Sequence, residues 1–242
     1  MPRSSRPARR APARGATASA RIAHAPSGPA PASPPALRWA APVLALGLGG
    51  MWLTITTSGL GRIGFPMDDP YIHLQFARNL AHGAGFSFNP HEPVPGSTSP
   101  LWVLVLAATQ RVGVPAEAAA AGLGILAAAL AAVLTFDLGV ACALPAGLAA
   151  GAALVTVATG RFTWASLSGM ETCMATALAL ALVRVHVSDR RVFRRGLALG
   201  ALAGLAANAR PELALLGALV WMLEAWRPAE PPKAMAPATG AR

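Results

Sequence analysis

The feature of this chain that most constrains its fold is an uncharged apolar stretch of 20 residues, from Trp39 to Ser58. A helix rises about 1.5 Å per residue, so this stretch is long enough to cross the hydrocarbon core of a bilayer, which is about 30 Å thick. Of all residues, 54% are hydrophobic and 12% are charged, whereas soluble domains carry about 25% charged residues. The sequence therefore predicts an integral membrane protein.

The net charge of +10 does not indicate a nucleic-acid partner, because the basic residues lie in the N-terminal tail and in short clusters between apolar segments. Residues 1–38 contain seven arginines and no acid, which predicts a disordered basic tail that can contact anionic membrane lipids. Basic residues mark cytoplasmic segments. We therefore expect the N-terminus and the cluster 189–195 in the cytoplasm, and the loop that carries Asp68 outside.

The apolar segments predict an all-α fold, a polytopic bundle of transmembrane helices. The short segment 101–113 opens with Ser99-Pro100 and is expected to be a juxtamembrane or re-entrant helix within an outer loop, 59–115. Residues 227–242 are rich in Pro and Ala and predict a second disordered tail. The expected spans are 39–58, 116–136, 139–158, about 166–187, 196–209 and 211–226.

The outer loop contains a helix signal. Asp69 followed by Pro70 is a favourable start, with Asp as the N-cap and Pro at the first helical position. Apolar residues then recur every fourth position at Ile72, Phe76 and Leu80, and Gly83 can end the helix. This pattern predicts a short amphipathic helix lying on a surface.

The candidates for chemistry are three carboxylates and three arginines: Asp68, Asp69, Glu171, Arg78, Arg161 and Arg210. Asp69 could simply cap its helix, and Glu171 stands where a span begins, a position that the helix dipole favours for an acid. Arg161 could extend to the membrane interface, and Arg210 could pair with Glu212 at a helix break. Asp68 has no such structural duty. The expected topology places all of these charges on the outer face, where carboxylates could remove a proton and arginines could bind a phosphate.

No metal or cofactor site is predicted. His73, His82 and His91 lack the compact spacing of a metal site, and the two cysteines lie in or beside apolar segments. The chain contains no P-loop, no dinucleotide-binding glycine pattern and no nucleophile elbow. The sequence leaves open whether a divalent metal ion assists catalysis.

Several motifs carry a family resemblance. They are Asp68-Asp69-Pro70-Tyr71-Ile72, Phe76-Ala77-Arg78-Asn79-Leu80, Gly96-Ser97-Thr98-Ser99-Pro100-Leu101-Trp102, Ser168-Gly169-Met170-Glu171-Thr172 and Arg210-Pro211-Glu212. In this order they resemble motifs of the bacterial GT-C superfamily of membrane glycosyltransferases, in particular the arabinofuranosyltransferases and, more distantly, the protein O-mannosyltransferases. The resemblance extends from about residue 39 to residue 226 and does not identify the sugar.

The resemblance implies an inverting transfer of a sugar from a polyprenyl-phosphate donor to an acceptor hydroxyl on a cell-envelope glycan, lipid or protein. It implies a multi-pass protein of the bacterial inner membrane. Asp68 would be the catalytic base, with Asp69 as the second choice and Glu171 as the acid of the later outer loop. Arg78, Arg161, Arg210 and His73 are expected to contact the substrates.

Members of this superfamily usually continue for several further spans, so the chain is expected to be truncated at its C-terminus or to be part of a split enzyme. This expectation motivates a second interpretation, a non-catalytic membrane protein with the same fold. A small transporter is a third interpretation, because charges within spans can mark a substrate path. Against it, the charges cluster at one face and no inverted repeat is visible.

Overall fold

The computed structural model describes residues 35–188 and 192–226. Within these ranges the chain is helical and forms no strand; an isolated antiparallel bridge joins Ser87 and Pro93. Residues 1–34 and 227–242 of the predicted tails, and residues 189–191 of the predicted cytoplasmic cluster, lie outside the described residues. The helices are α1 (Pro35–Leu60), α2 (Asp69–Ala81), α3 (Pro100–Arg111), α4 (Ala116–Ala141), α5 (Ala146–Ala158), α6 (Gly160–Leu167), α7 (Thr172–His186), α8 (Val192–Ala209) and α9 (Leu213–Ala225).

The two long helices α1 and α4 form an antiparallel pair. Near one end, the Nε and Nη2 atoms of Arg38 donate hydrogen bonds to the two carboxylate oxygens of Asp137, at 2.9 and 2.7 Å. Further along, a Cβ on Gly49 would meet the side chain of Ile125 at 2.7 Å. The end of α1 therefore lies beside the beginning of α4, and we call this end of the bundle the loop end. The segment 61–115, with α2 and α3, leaves and rejoins the pair there.

In the described part of the chain, two helices are long and apolar enough to cross a membrane, α1 over Ala36–Leu60 and α4 over Ala116–Ala141. The pair α5 and α6 is bent by 59° and would be a third span if it acted as one segment. In the most apolar window of α1 only 11% of the residues are buried, against 50% in α4. Helix α1 thus exposes most of its apolar surface, whereas α4 is the central helix of the bundle.

The helix boundaries differ from the sequence expectation at several places: α5 begins at Ala146 rather than 139, α6 is a separate helix that was not expected, and α8 begins at Val192 rather than 196. Helix α1 begins at Pro35, within the segment expected to be a disordered tail. Helix α4 continues through the expected break at 137–138 to Ala141, because the bond to Arg38 makes the charge of Asp137 tolerable in the helix. Helix α7 begins at Thr172 rather than near 166, because Gly169 adopts a left-handed turn with φ of +77°.

Helix α2 is more enclosed than the expected surface helix. Its apolar residues Leu74, Phe76 and Ala77 pack in one buried cluster with α3 and the start of α4. Gly83, with φ of +80°, follows the helix end as expected. Asn79 is also buried, because its side-chain amide donates hydrogen bonds to the carbonyls of Ser87 and Phe88 at 2.9 and 2.8 Å. These bonds hold the following loop against α2.

Helices α7, α8 and α9 form a zigzag. Arg210, just after α8, bonds to Glu171 and Thr172 at the start of α7. At the other end of α7, His186 contacts Glu224 near the end of α9. Helix α8 is therefore antiparallel to α7, and α9 is parallel to α7. The start of α7 and the junction between α8 and α9 lie together at the loop end.

The packing of α4 against the end of α6 makes a testable prediction. A Cβ on Gly124 would lie 2.1 Å from the backbone carbonyl oxygen of Ser166, a distance that backbone atoms cannot relieve without moving apart. We expect Gly124→Ala to lower the thermal unfolding midpoint of the detergent-purified protein by several degrees. Overpacking of this kind costs about 1–3 kcal/mol.

Gly122 is the matched control, because it lies on the same helix and a Cβ there would meet nothing within 4 Å. Gly122→Ala should leave the unfolding midpoint unchanged or raise it slightly, since alanine has the higher helix propensity. Equal midpoints for the two variants would contradict the packing of α4 against Ser166.

Candidate functional site

A buried polar cluster at the loop end joins three parts of the chain that are distant in sequence. It contains the carboxylate of Glu171 before α7, the guanidinium of Arg210 between α8 and α9, and the imidazole of His73 on α2. We call these three residues the buried cluster. All three were predicted from the sequence as site residues, and the structure places Glu171 in contact with both of the others.

The centre of the buried cluster is the ion pair between Glu171 and Arg210. Glu171 is only 2% exposed, and its Oε1 accepts a hydrogen bond from Nε of Arg210 at 2.9 Å. The same guanidinium donates to the hydroxyl of Thr172 at 3.1 Å and contacts Glu212 at 3.3 Å. A buried carboxylate without such a partner would be strongly unfavourable, so this pair holds the start of α7 and the α8–α9 junction together.

His73 forms the third side of the buried cluster. Its Nδ1 is hydrogen-bonded to the hydroxyl of Ser97 at 3.0 Å, and its Nε2 lies 3.5 Å from Oε2 of Glu171. That oxygen is buried and has no hydrogen-bond donor among the residues that the structure describes. Burial lowers the pKa of His73 below its ordinary value; Arg210 acts in the same direction, whereas Glu171 and Asp69 oppose it. The imidazole is therefore neutral near pH 7.

Asp68 and Asp69 are both exposed at the beginning of α2. The expectation that Asp69 is the N-cap is wrong: Asp68 is the N-cap residue and Asp69 is the first residue of the helix. The side chain of the N-cap makes no capping hydrogen bond, and its backbone carbonyl accepts a bond from the amide of Tyr71 at 2.9 Å. Pro70 at the next position lacks an amide hydrogen, which leaves one helix donor fewer to be capped. Both carboxylates are thus open to solvent or substrate.

The other two predicted residues do not join the buried cluster. Arg78 is exposed on α2, and Arg161 is exposed at the start of α6. Within residues 35–188 and 192–226, neither guanidinium forms an ion pair. In the same ranges, no group of three or more His, Cys, Asp or Glu side chains is arranged to hold a metal ion.

A cavity of about 1460 Å³, which the sequence did not predict, lies at the loop that leads into the aspartate pair. One wall is a face of α1, and further lining residues come from α6, the last residue of α5 and the beginning of α4. Arg62 and Glu117 line it, and neither was among the candidates. Spacing could have indicated Arg62, since it is the first charged residue after the apolar stretch that forms α1. Nothing in the local sequence indicates that Glu117 faces the same space.

Phe65 and Tyr71 connect the cavity to the buried cluster. The hydroxyl of Tyr71 accepts a hydrogen bond from the backbone amide of Phe65 at 3.0 Å, and their ring centroids are 5.8 Å apart. On its other side the Phe65 ring packs on Gly169, where a Cβ would approach it to 2.8 Å. The carbonyl of Gly169 accepts a hydrogen bond from the indole of buried Trp102 at 3.0 Å. Only a glycine provides both this close approach and the positive φ.

Comparison of the chain with protein-family models gives no match, and comparisons with curated proteins and with solved structures also give none. The likeness to GT-C glycosyltransferases thus rests on the motifs quoted above. Geometry places three of those motifs next to one another: the start of α2, the Ser168–Thr172 turn and the Arg210–Glu212 break.

The buried imidazole predicts a pH dependence of stability. Because the pKa of His73 is lower in the folded than in the unfolded state, its stabilising contribution is present above the unfolded value of about 6.5 and is lost as the pH falls through the folded value. We expect the unfolding midpoint of the detergent-purified protein to fall as the pH drops below about 6.5. In His73→Asn, which can still bond to Ser97, that fall should be smaller.

His82 provides the control, because it lies just after the same helix, outside the buried cluster, and its Nδ1 contacts the carbonyl of Arg78. His82→Asn should keep the pH dependence of the parent. A parent and a His73→Asn variant with the same pH profile would show that protonation of His73 does not affect stability.

Proposed function

We propose that this protein is a membrane glycosyltransferase that moves a sugar from a polyprenyl-phosphate donor to an acceptor hydroxyl. The observation that carries the proposal is the cavity of about 1460 Å³, which follows α1 and reaches the loop that leads into the aspartate pair. Pro66 lines this cavity, and Asp68 follows two residues later. An apolar space for a lipid chain and a carboxylate for proton abstraction thus occur next to each other.

The size and composition of the cavity fit a lipid-linked donor. Pockets for small molecules measure about 300–1,000 Å³, so this cavity is larger than one sugar requires. Its α1 wall includes exposed Trp52 and Leu60, and exposed Trp164 lies on α6. An apolar cavity that opens at the surface of a helix suited to cross a membrane can admit a chain directly from the bilayer.

In the proposed reaction, Asp68 accepts the proton of the acceptor hydroxyl while the acceptor oxygen forms a bond to the anomeric carbon. The bond between that carbon and the phosphate oxygen breaks, and the phosphate leaves with the electron pair. The base has to reach an acceptor that arrives from outside, and the exposure of Asp68 meets this requirement. Asp69 is equally exposed and stays the second choice.

We assign a different role to the buried cluster. The sequence suggested catalysis for Glu171 and substrate binding for Arg210 and His73. With the carboxylate 2% exposed and bonded to the guanidinium, a substrate would have to break this ion pair first. We propose that the cluster positions α2 and, through the Gly169 contact with Phe65, the wall of the cavity.

The membrane arrangement follows from the same proposal. The protein would lie in the bacterial inner membrane with several crossings and a cytoplasmic N-terminus. The loop end, which carries the aspartate pair and the buried cluster, would face outward. This agrees with the antiparallel pairing of α1 and α4, because the segment 61–115 then stays on one side of the membrane.

The catalytic role of Asp68 is tested by substitution. Asp68→Asn preserves the shape of the side chain and removes its basicity, so transfer should fall by about 10²- to 10⁴-fold. Asp69→Asn should have a milder effect. The assay is sugar transfer in proteoliposomes, with a panel of synthetic polyprenyl-phosphate pentoses and hexoses as donors.

Glu92→Gln is the matched control, because Glu92 is an exposed carboxylate in the same loop whose only described side-chain bond is to Asn89. This variant should transfer sugar at the parent rate. Full activity of both aspartate variants would refute the catalytic role of the loop, and loss confined to Asp69→Asn would move the base to Asp69. Absence of transfer by the parent with every donor would favour the non-catalytic interpretation.

A further inference from the structure

The wall of the cavity on α1 has the form of a track for one extended chain. Leu48, Trp52, Thr56 and Leu60 line it at intervals of four residues, so they share one face of the helix. From Leu48 to Leu60 the helix axis rises by about 18 Å. The track therefore extends from the middle of α1 to its end and stops where the chain turns into the loop.

A single arginine marks the end of this track. Arg62 follows α1 by two residues and lines the cavity. Among the described residues its guanidinium takes part in no ion pair or hydrogen bond, and the only other charged residue that lines the cavity is Glu117. No direct ion pair joins Arg62 and Glu117.

The other arginines considered for substrate binding are placed less favourably. Arg210 is bonded to Glu171, and Arg38 is bonded to Asp137 at the opposite end of the bundle. Arg78 and Arg161 do not line the cavity. Arg62 is thus the arginine that combines an open guanidinium with a place at the end of the apolar track.

We propose that Arg62 binds the phosphate of a single-chain lipid phosphate whose hydrocarbon chain lies along the track. The assignment of this ligand as the glycosyl donor rests on the proposed function; the binding itself does not. Charge complementarity supports it, because a guanidinium forms paired hydrogen bonds to phosphate oxygens and an apolar surrounding strengthens them. The position supports it too, because a phosphate at residue 62 places the adjoining sugar beside the loop that leads to Asp68.

Glu117 orients the ligand. It is half-buried in the first turn of α4, where the helix dipole favours its negative charge. A carboxylate repels a phosphate and accepts hydrogen bonds from hydroxyls. The phosphate is therefore directed to Arg62, and the hydroxyl-bearing sugar is the part of the donor that can approach Glu117.

The test is a binding measurement on the full chain in detergent, without sugar or acceptor. The probes are undecaprenyl phosphate and undecaprenol, which differ only in the phosphate, and binding is followed by native mass spectrometry and by fluorescence of Trp52 and Trp164 in the cavity wall. Arg62→Gln should lower the affinity for undecaprenyl phosphate about 10- to 100-fold, the range expected when hydrogen bonds to a charged group are lost. Its affinity for undecaprenol should not change.

Matched variants distinguish the contribution of Arg62 at the end of the track from that of the apolar wall. Arg111→Gln removes an exposed arginine of the same loop segment, at the end of α3, and should bind both probes like the parent. Glu117→Gln should not lower the affinity for undecaprenyl phosphate, since this substitution removes a charge that repels the phosphate. Thr56→Trp should fill the track and lower the affinity for both probes. Thr54→Trp, at an exposed position of α1 that does not line the cavity, should change neither affinity.

Equal binding of undecaprenyl phosphate by the parent and by Arg62→Gln would overturn the proposal. So would displacement of undecaprenyl phosphate by an equal amount of phosphatidylglycerol, which would make the cavity a phospholipid site. The transfer assay is independent of this measurement. Transfer without dependence on Arg62 would refute the role of Arg62 alone, and binding without transfer would refute the proposed function alone.

Discussion

The arrangement of the loop end depends on the ion pair between Glu171 and Arg210. The two residues are 39 positions apart, and their contact at 2.9 Å fixes where α7 begins relative to the junction of α8 and α9. The enclosed carboxylate of Glu171 would be unfavourable without Arg210, because a buried charge without a partner loses its hydration. The pair also supplies the negative charge that faces His73. Helix α2, which carries the aspartate pair, is thereby linked to the second half of the bundle.

Between the polar contacts, small residues allow the helices to approach closely. Gly124 meets the backbone of Ser166, Gly139 meets Ala149, and Gly217 meets Ala203, each at a distance that leaves no room for a larger side chain. In a membrane the hydrophobic effect does not drive helices together, so close packing of small residues and a few polar contacts provide the specificity. The Ala- and Gly-rich composition therefore defines which faces meet, and residues such as Asp137 and Arg38 define the register.

The sequence predicted local features better than spatial relations. The start near Asp69-Pro70 and the glycine after α2 follow from backbone chemistry, which acts over a few residues, and both were correct to within one position. The length of α4 was not predicted, because the partner that neutralises Asp137 is 99 residues away. Arg62 and Glu117 were missed for the same reason: they line one cavity only after α1 and α4 have paired. His73, Glu171 and Arg210 were predicted as site residues, but the contacts that Glu171 makes with the other two could not be inferred from spacing.

The structure separates two kinds of carboxylate that the sequence had grouped together. Asp68 and Asp69 are exposed and make no side-chain bond to another described residue, whereas Glu171 is enclosed and bonded to a guanidinium. In the proposed reaction, the general base has to come within hydrogen-bond reach of an acceptor hydroxyl that arrives from outside. A positioning acid has the opposite requirement, since its partner has to stay bound through every cycle. The exposed aspartates are therefore suited to contact the substrate in the proposed reaction. The enclosed carboxylate of Glu171 is suited to hold α2, which begins at the aspartate pair, in place.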